Sequence, residues 1–328
     1  MYLLAFFTGI MFLTGVPTQG LAQAGHWEEV KSSDGSLPVA RHEAAFVGVG
    51  DKFYLLGGRG IRPVSIFDPE ADTWTEGAPP PVEMHHFQPF VWQEEVYIAG
   101  ALTGPYPGED PLPLMYIYNP QKDSWREGPE IPANRRRGST GTVVYNGKIY
   151  LVAGIADGHR GDHKTWLDEY DPATGTWTAL PDAPRARDHF QATVADDKLY
   201  VVGGRRSNAP DNVFSDLVAE VDVYDFKTKR WTTLDAPLPT LRAGTYNALY
   251  RDHIVVLGGE TGEQQLAHNE TEALDLEDHT WTTLAPMLQG RHGTGAILYD
   301  GKLYVASGSG NRGGGPELQT QECFMWED

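Results

Sequence analysis

Six tryptophans recur along this 328-residue chain at nearly constant spacing, and that period constrains the fold more than any other feature. Trp27, Trp74, Trp125, Trp177, Trp231 and Trp281 are separated by 47, 51, 52, 54 and 50 residues. A period of this length marks supersecondary units that cannot bury their apolar faces alone and must stack, so chain length is no reason to divide the protein into domains. Seven residues before five of these tryptophans stands Phe67, Tyr118, Tyr170, Tyr224 or Leu274, usually followed by Asp or Asn. That pattern reads as strand, turn, strand. Upstream lies a second landmark, an apolar run ending in a small-residue pair: YLLGG at 54, YIAGA at 97, YLVAG at 150, YVVGG at 200, VVLGG at 255 and YVASG at 304. Small residues there let the chain leave a sheet where a Cβ would clash.

Each unit therefore reads as four antiparallel strands: an inner one after an Arg-containing loop, a second ending in the small pair, a third ending in the aromatic-Asp turn, and an outer one carrying Trp. The 37 glycines and 23 prolines fit an all-β chain with many turns. Radial stacking of such sheets leaves only short edges. The six matched landmarks resemble the kelch repeat over residues 25–328, which implies a six-bladed kelch β-propeller. From Trp281 to the C-terminus and on through Trp27, counted from Gly25, makes one more repeat of 50. The outer strand of blade six is therefore expected from residues 26–30, which removes an open edge.

Residues 1–24 read as an export signal. Tyr2 to Val16 is almost wholly apolar, and Ala22-Gln23-Ala24 places small residues where a signal peptidase reads them, so cleavage before Gly25 is expected. The apolar stretch falls short of the roughly 20 residues that span hydrocarbon, so the mature form has no expected membrane span and a periplasmic or secreted location is implied. The net charge of −19 argues against a nucleic-acid partner. Cys323 is the only cysteine, so no intrachain disulfide can form.

Function in such a ring is expected on the face where the loops before each inner strand and after each small pair emerge. Sixteen residues before the small-pair register stand Arg41, Met84, Arg137, Arg187, Arg242 and Arg291. The five arginines read either as structural groups held by carbonyls and carboxylates or as a clamp for an anionic ligand, since the guanidinium fork suits carboxylate and phosphate. Arg59, Arg62, Arg135, Arg136, Arg160, Arg185, Arg205, Arg206 and Arg312 map to the same face. One past the arginine register stand His42, His85 and His292, and two past it His86 and His189. These suggest either a three-His metal site at His42, His85 and His292 or acid–base work by His85, His86, His189 and Glu260, against a plain role in loop hydrogen bonding. No cofactor is expected, a transition metal being the alternative.

Copper oxidases of kelch fold use a tyrosine linked to a cysteine, which the position of Cys323 disfavours. Plant specifier proteins carry Glu, Asp and His at four-residue steps, where this chain has Glu260, Gln264 and His268. Among exported kelch proteins the chain resembles the bacterial sialic-acid mutarotases in fold and compartment. That resemblance implies an acidic sugar or oligosaccharide as partner and a Glu–Arg pair in the site. Glu260 matches the acid, but its own loop has no arginine, so Arg205 or Arg206 would have to reach over from the neighbouring blade. Trp166 and Tyr106 are available for stacking on a sugar ring. A protein-interaction propeller is the alternative, and the fold alone does not choose. Whether the chain is an enzyme is left open, with a mutarotase or isomerase favoured over a copper oxidase.

Overall fold

A computed structural model describes residues 24–327. They form six four-stranded antiparallel sheets, each running from an inner to an outer strand. Blade 1 comprises Ala44–Val49, Lys52–Gly57, Ser65–Asp68 and Thr73–Glu76. Blades 2 to 5 repeat this order, with inner strands Pro89–Trp92, Gly141–Tyr145, Gln191–Ala195 and Tyr246–Tyr250. The apolar cores lie between blades: Tyr54 of blade 1 packs with Val96 and Tyr118 of blade 2, and Tyr246 of blade 5 with Leu303 and Phe324 of blade 6. The all-β propeller expected from the period is what forms.

Blade 6 takes Ala296–Tyr299, Lys302–Ala306 and Gln321–Met325 from the end of the chain and His26–Val30 from its beginning. Trp27 stands opposite Phe324, with ring centroids 5.3 Å apart. Its indole Nε1 donates to Ala285 O at 2.9 Å, just beyond the outer strand of blade 5. Trp125, Trp177, Trp231 and Trp281 make the same reach, to Ala78 O, Glu130 O, Pro181 O and Ala236 O. The tryptophan period is thus a set of clasps between successive blades. Gly25 is required at the start of the closing strand: its φ is +79°, and a Cβ there would stand 2.4 Å from the Phe324 ring. The export signal expected over 1–24 lies outside the described residues except for Ala24, whose carbonyl accepts from Ala285 N at 3.2 Å. No helix among the described residues is long and apolar enough to cross a membrane.

The five register arginines do not line the channel. Each is at most 1% exposed and turned into its own blade. Each donates to the carbonyl sixteen residues on: Arg41 to Gly57, Arg137 to Ala153, Arg187 to Gly203, Arg242 to Gly258 and Arg291 to Ser307. Four also meet a carboxylate on the third strand: Arg137 with Asp168, Arg187 with Asp222, Arg242 with Glu272 and Arg291 with Glu322. Arg41 meets the Ser65 hydroxyl instead, at 3.3 Å. The expected anion clamp is corrected accordingly, because these guanidinium groups are buried and direct most of their donors to the blade itself. Burial draws Arg41, Arg137 and Arg187 down to about 10, which still leaves them charged at neutral pH. In blade 2 both partners change together: Met84 replaces the arginine, Tyr116 stands at the acid's register, and both belong to one buried apolar cluster.

Two outcomes follow. Deleting residues 25–33 should strip blade 6 of its outer strand and cause aggregation or a large fall in melting temperature, and Trp27→Ala alone should cost about 3–5 kcal/mol by chemical denaturation. For the arginine pins, Arg242→Met should cost about 3–5 kcal/mol because Glu272 is left buried without its cation. The double variant Arg242→Met/Glu272→Tyr, which copies the blade 2 solution, should regain most of that loss. A single variant as stable as the parent would show that the pin contributes nothing.

Candidate functional site at the channel throat

The residues two past the arginine register form a ring around the axis: Glu43, His86, Ser139, His189, Gly244 and Gly293, all in the left-handed region with φ between 53° and 67°. Hydrogen bonds link them around the channel. Glu43 O accepts from His86 N, His86 O from Ser139 N, the Ser139 hydroxyl from His189 N, His189 O from Gly244 N, Gly244 O from Gly293 N, and Gly293 O from Ala44 N. Four of the six positions hold side chains that normally avoid this conformation, at a cost of about 1–3 kcal/mol each, which the closed ring maintains. The turn directs Glu43, His86 and His189 into the throat, where they line a narrow neck. Above it opens a cavity of about 400 Å³ walled by Tyr106 and Phe214, with Glu43, His86, His159, Arg59, Arg205 and Glu260 around its floor.

His159 is the principal site residue that sequence reasoning missed. It lies on the short 3₁₀ turn Gly158–Arg160, in the loop after the small pair of blade 3. Its Nδ1 lies 3.0 Å from a Glu109 carboxylate oxygen, and its Nε2 lies 3.2 Å from His189 Nε2. A histidine between two glycines on the loop-rich face was the available signal. Glu109, on the loop after the small pair of blade 2, is 1% exposed and also accepts from Arg59 Nη2 at 2.6 Å.

The remaining candidates sort by position. His86 and His189 both line the throat. His85 does not line it: its Nε2 donates to Gly104 O at 3.2 Å, and its Nδ1 lies 2.6 Å from His86 Nδ1. Glu260 reaches the cavity, fully buried, with Arg205 Nη1 2.5 Å from one oxygen and Gly313 N 2.7 Å from the other. Of the two neighbouring-blade arginines, Arg205 is the one that meets Glu260. Arg206 turns outward to Asp216. The proposed His42, His85 and His292 metal set is not assembled: His42 pairs with Glu317 at 2.8 Å, while His292 Nε2 donates to Asn311 O and Gly313 O. Gln264 and His268 likewise do not join Glu260, since Gln264 bonds Leu266 O and His268 bonds Glu270 and Thr261. Trp166 stacks under Arg135 at 4.2 Å, away from the cavity, so the stacking surfaces there are Tyr106 and Phe214.

Electrostatically the throat disfavours the protonated form of His85, His86 and His189 and favours the ionised form of its acids. Burial pushes His85 down to about 4 and His86 well below its ordinary value, and burial together with the Arg205 charge lowers His189. Burial alone would raise Glu43, but His189, His292, His42 and Arg59 outweigh it and hold the carboxyl at about 2. Asp188, Glu109 and Glu260 are also held below the usual carboxylate range against the opposing effect of burial, by His189 and His163, by His159, and by His292 and Arg205 respectively. The arrangement can accept hydrogen bonds from hydroxyls, exchange protons through imidazole, or bind a cation.

Comparison with known proteins places this chain in a family. The Attractin/LZTR1 β-propeller family model matches residues 21–263, and the kelch motif matches residues 248–288. Kelch-like protein terF of Aspergillus terreus is 28% identical over 92% of this chain and 69% of its own length. Kelch-like protein 23 of Homo sapiens is 25% identical over 78% of the chain, which spans only 43% of that protein. The solved structure of YjhT superposes with a TM-score of 0.72 at 18% identity, covering 87% of this chain and 95% of that one, which is a likeness of fold. The chain belongs to the kelch-repeat β-propellers, within the Attractin/LZTR1 β-propeller family.

Proposed function

We propose that the channel mouth binds a small acidic sugar outside the cytoplasm and that the throat groups can exchange protons at its anomeric centre. The observation that carries this reading is the cavity of about 400 Å³ with aromatic walls and a floor of hydrogen-bond acceptors. Rings of a sugar pack on faces such as Tyr106 and Phe214, and its hydroxyls donate to ionised Glu43 and Glu260. The anion contact belongs to Arg59 rather than to the inner arginines. Its side chain is 24% exposed, and Glu109 occupies only Nη2 at short range, so the fork retains donors for a ligand carboxylate. Mutarotation needs a base at the anomeric hydroxyl and an acid at the ring oxygen, roles within reach of neutral histidines beside ionised carboxylates.

A protein partner is the second reading. Ile61, Tyr106 and Leu266, each more than half exposed, sit on the loops after three different small pairs and so on one face. Exposed apolar groups gathered on one face are a mark of interaction surfaces.

Calorimetric titration separates the two. Acidic monosaccharides should bind more tightly than their neutral counterparts, and Arg59→Ala should weaken the acidic ones about ten- to a hundredfold, the loss of one charge-assisted contact. The neutral sugars should be little affected. Equal binding of both kinds, or of neither, would overturn the acidic-sugar reading. Export is tested by N-terminal sequencing of the secreted protein, which should begin at Gly25.

A further inference from the structure

The hydrogen-bond network of the throat fixes every imidazole tautomer and leaves lone pairs facing one another. Asp188 accepts from Ser207 N at 2.9 Å and from the Ser207 hydroxyl at 2.8 Å, so it is an acceptor for His189 Nδ1–H as well. Glu109 accepts from Arg59 and from the main-chain N of His159, so His159 Nδ1–H donates to it too. Both Nε2 atoms are then bare, and they face each other at 3.2 Å. His85 uses its Nε2–H on Gly104 O, so its bare Nδ1 accepts from His86 Nδ1–H. That leaves His86 Nε2 bare as well, 3.1 Å from a Glu43 carboxylate oxygen. A fourth orphan, the buried His292 Nδ1, has no hydrogen-bond partner and looks toward Glu43 at 3.7 Å. A positive centre is what this arrangement lacks.

We propose that His86, His159 and His189, with Glu43 as an oxygen ligand, bind one divalent first-row transition-metal ion at the floor of the channel mouth. The ligand atoms of the three histidines lie within 4.8 Å of one another. Two imidazole nitrogens on a tetrahedral zinc, each about 2.0–2.1 Å from the ion, stand roughly 3.3 Å apart, close to the His159–His189 separation. Carboxylates on the far nitrogens, here Asp188 and Glu109, are the outer support that orients metal-bound histidines and raises their basicity. Three imidazoles with one carboxylate suit zinc, iron, nickel or copper better than calcium or magnesium. Glu43 and His86 line both the neck and the mouth cavity, so the ion is reached from the side where a small molecule enters. There a ligand oxygen or water that adds as a fifth ligand, or displaces Glu43, would be polarised by the ion. The inference holds whether or not the cavity takes a sugar.

The test uses the mature protein without a histidine tag, stripped with chelator and titrated with Zn²⁺ and separately with Co²⁺. One equivalent of each should bind, and the cobalt visible spectrum should show a low-coordinate nitrogen-rich site. His159→Ala and His189→Asn should each weaken binding at least a hundredfold, and Glu109→Gln, a positioning change, about ten- to a hundredfold. His253→Ala, remote from the throat, should bind as the parent does. The cobalt spectrum of the unaltered protein reads the ligand set directly if a variant fails to fold. No binding at one equivalent, an all-oxygen octahedral spectrum, or binding that survives both histidine variants would overturn the proposal.

Discussion

The structure depends on a buried guanidinium that holds the inner loop of a blade to its second and third strands. In four blades it satisfies carbonyls at the point where the chain leaves the sheet and neutralises an acid on the third strand. Carbonyls released from a strand in a buried place need donors, and arginine offers five in a rigid plane. With the carbonyl sixteen residues on held in place, the next two residues of the loop are fixed as well. Blade 2 shows that the blade does not require a charge there, since Met84 and Tyr116 fill the same place by packing.

The ring in turn aims the throat. A left-handed residue points its side chain where a strand residue would not, and here it turns one acid and two imidazoles toward the axis while their backbones bond around it. Four non-glycine residues of the ring hold this conformation at the candidate site, an association common in folded proteins. His159 completes the group from a loop of blade 3, held by a glutamate from the loop of blade 2. The site is thus made by four blades, with Glu43, His86, His159 and His189 from blades 1 to 4 in turn, and its precision comes from a rigid scaffold with support behind each imidazole.

Much of the architecture was legible from the chain alone. The 50-residue period, the small pairs and the aromatic-Asp turns specify local strand and turn chemistry, which the backbone obeys regardless of context. Counting one repeat across the two ends located the closing strand at residues 26–30, because a radial array tolerates no missing outer strand. The arginine register was also correctly read, since it reflects a fixed distance along a hairpin.

What the tertiary structure decided was direction and convergence. Whether Arg187 faces the channel or its own blade depends on the carbonyls and on Asp222, 35 residues away, which no local pattern displays. His42, His85 and His292 share a register but not a site: His42 lines the mouth cavity paired with Glu317, while His85 and His292 bond loop carbonyls. His86 and His189 share the ring register in blades 2 and 4 while His159 comes from a loop of blade 3, and the three meet only when those blades pack together. The sequence by itself determined the repeat, the blades and their closure through local propensity and period. The throat was decided by long-range packing, which sets where side chains of distant segments point.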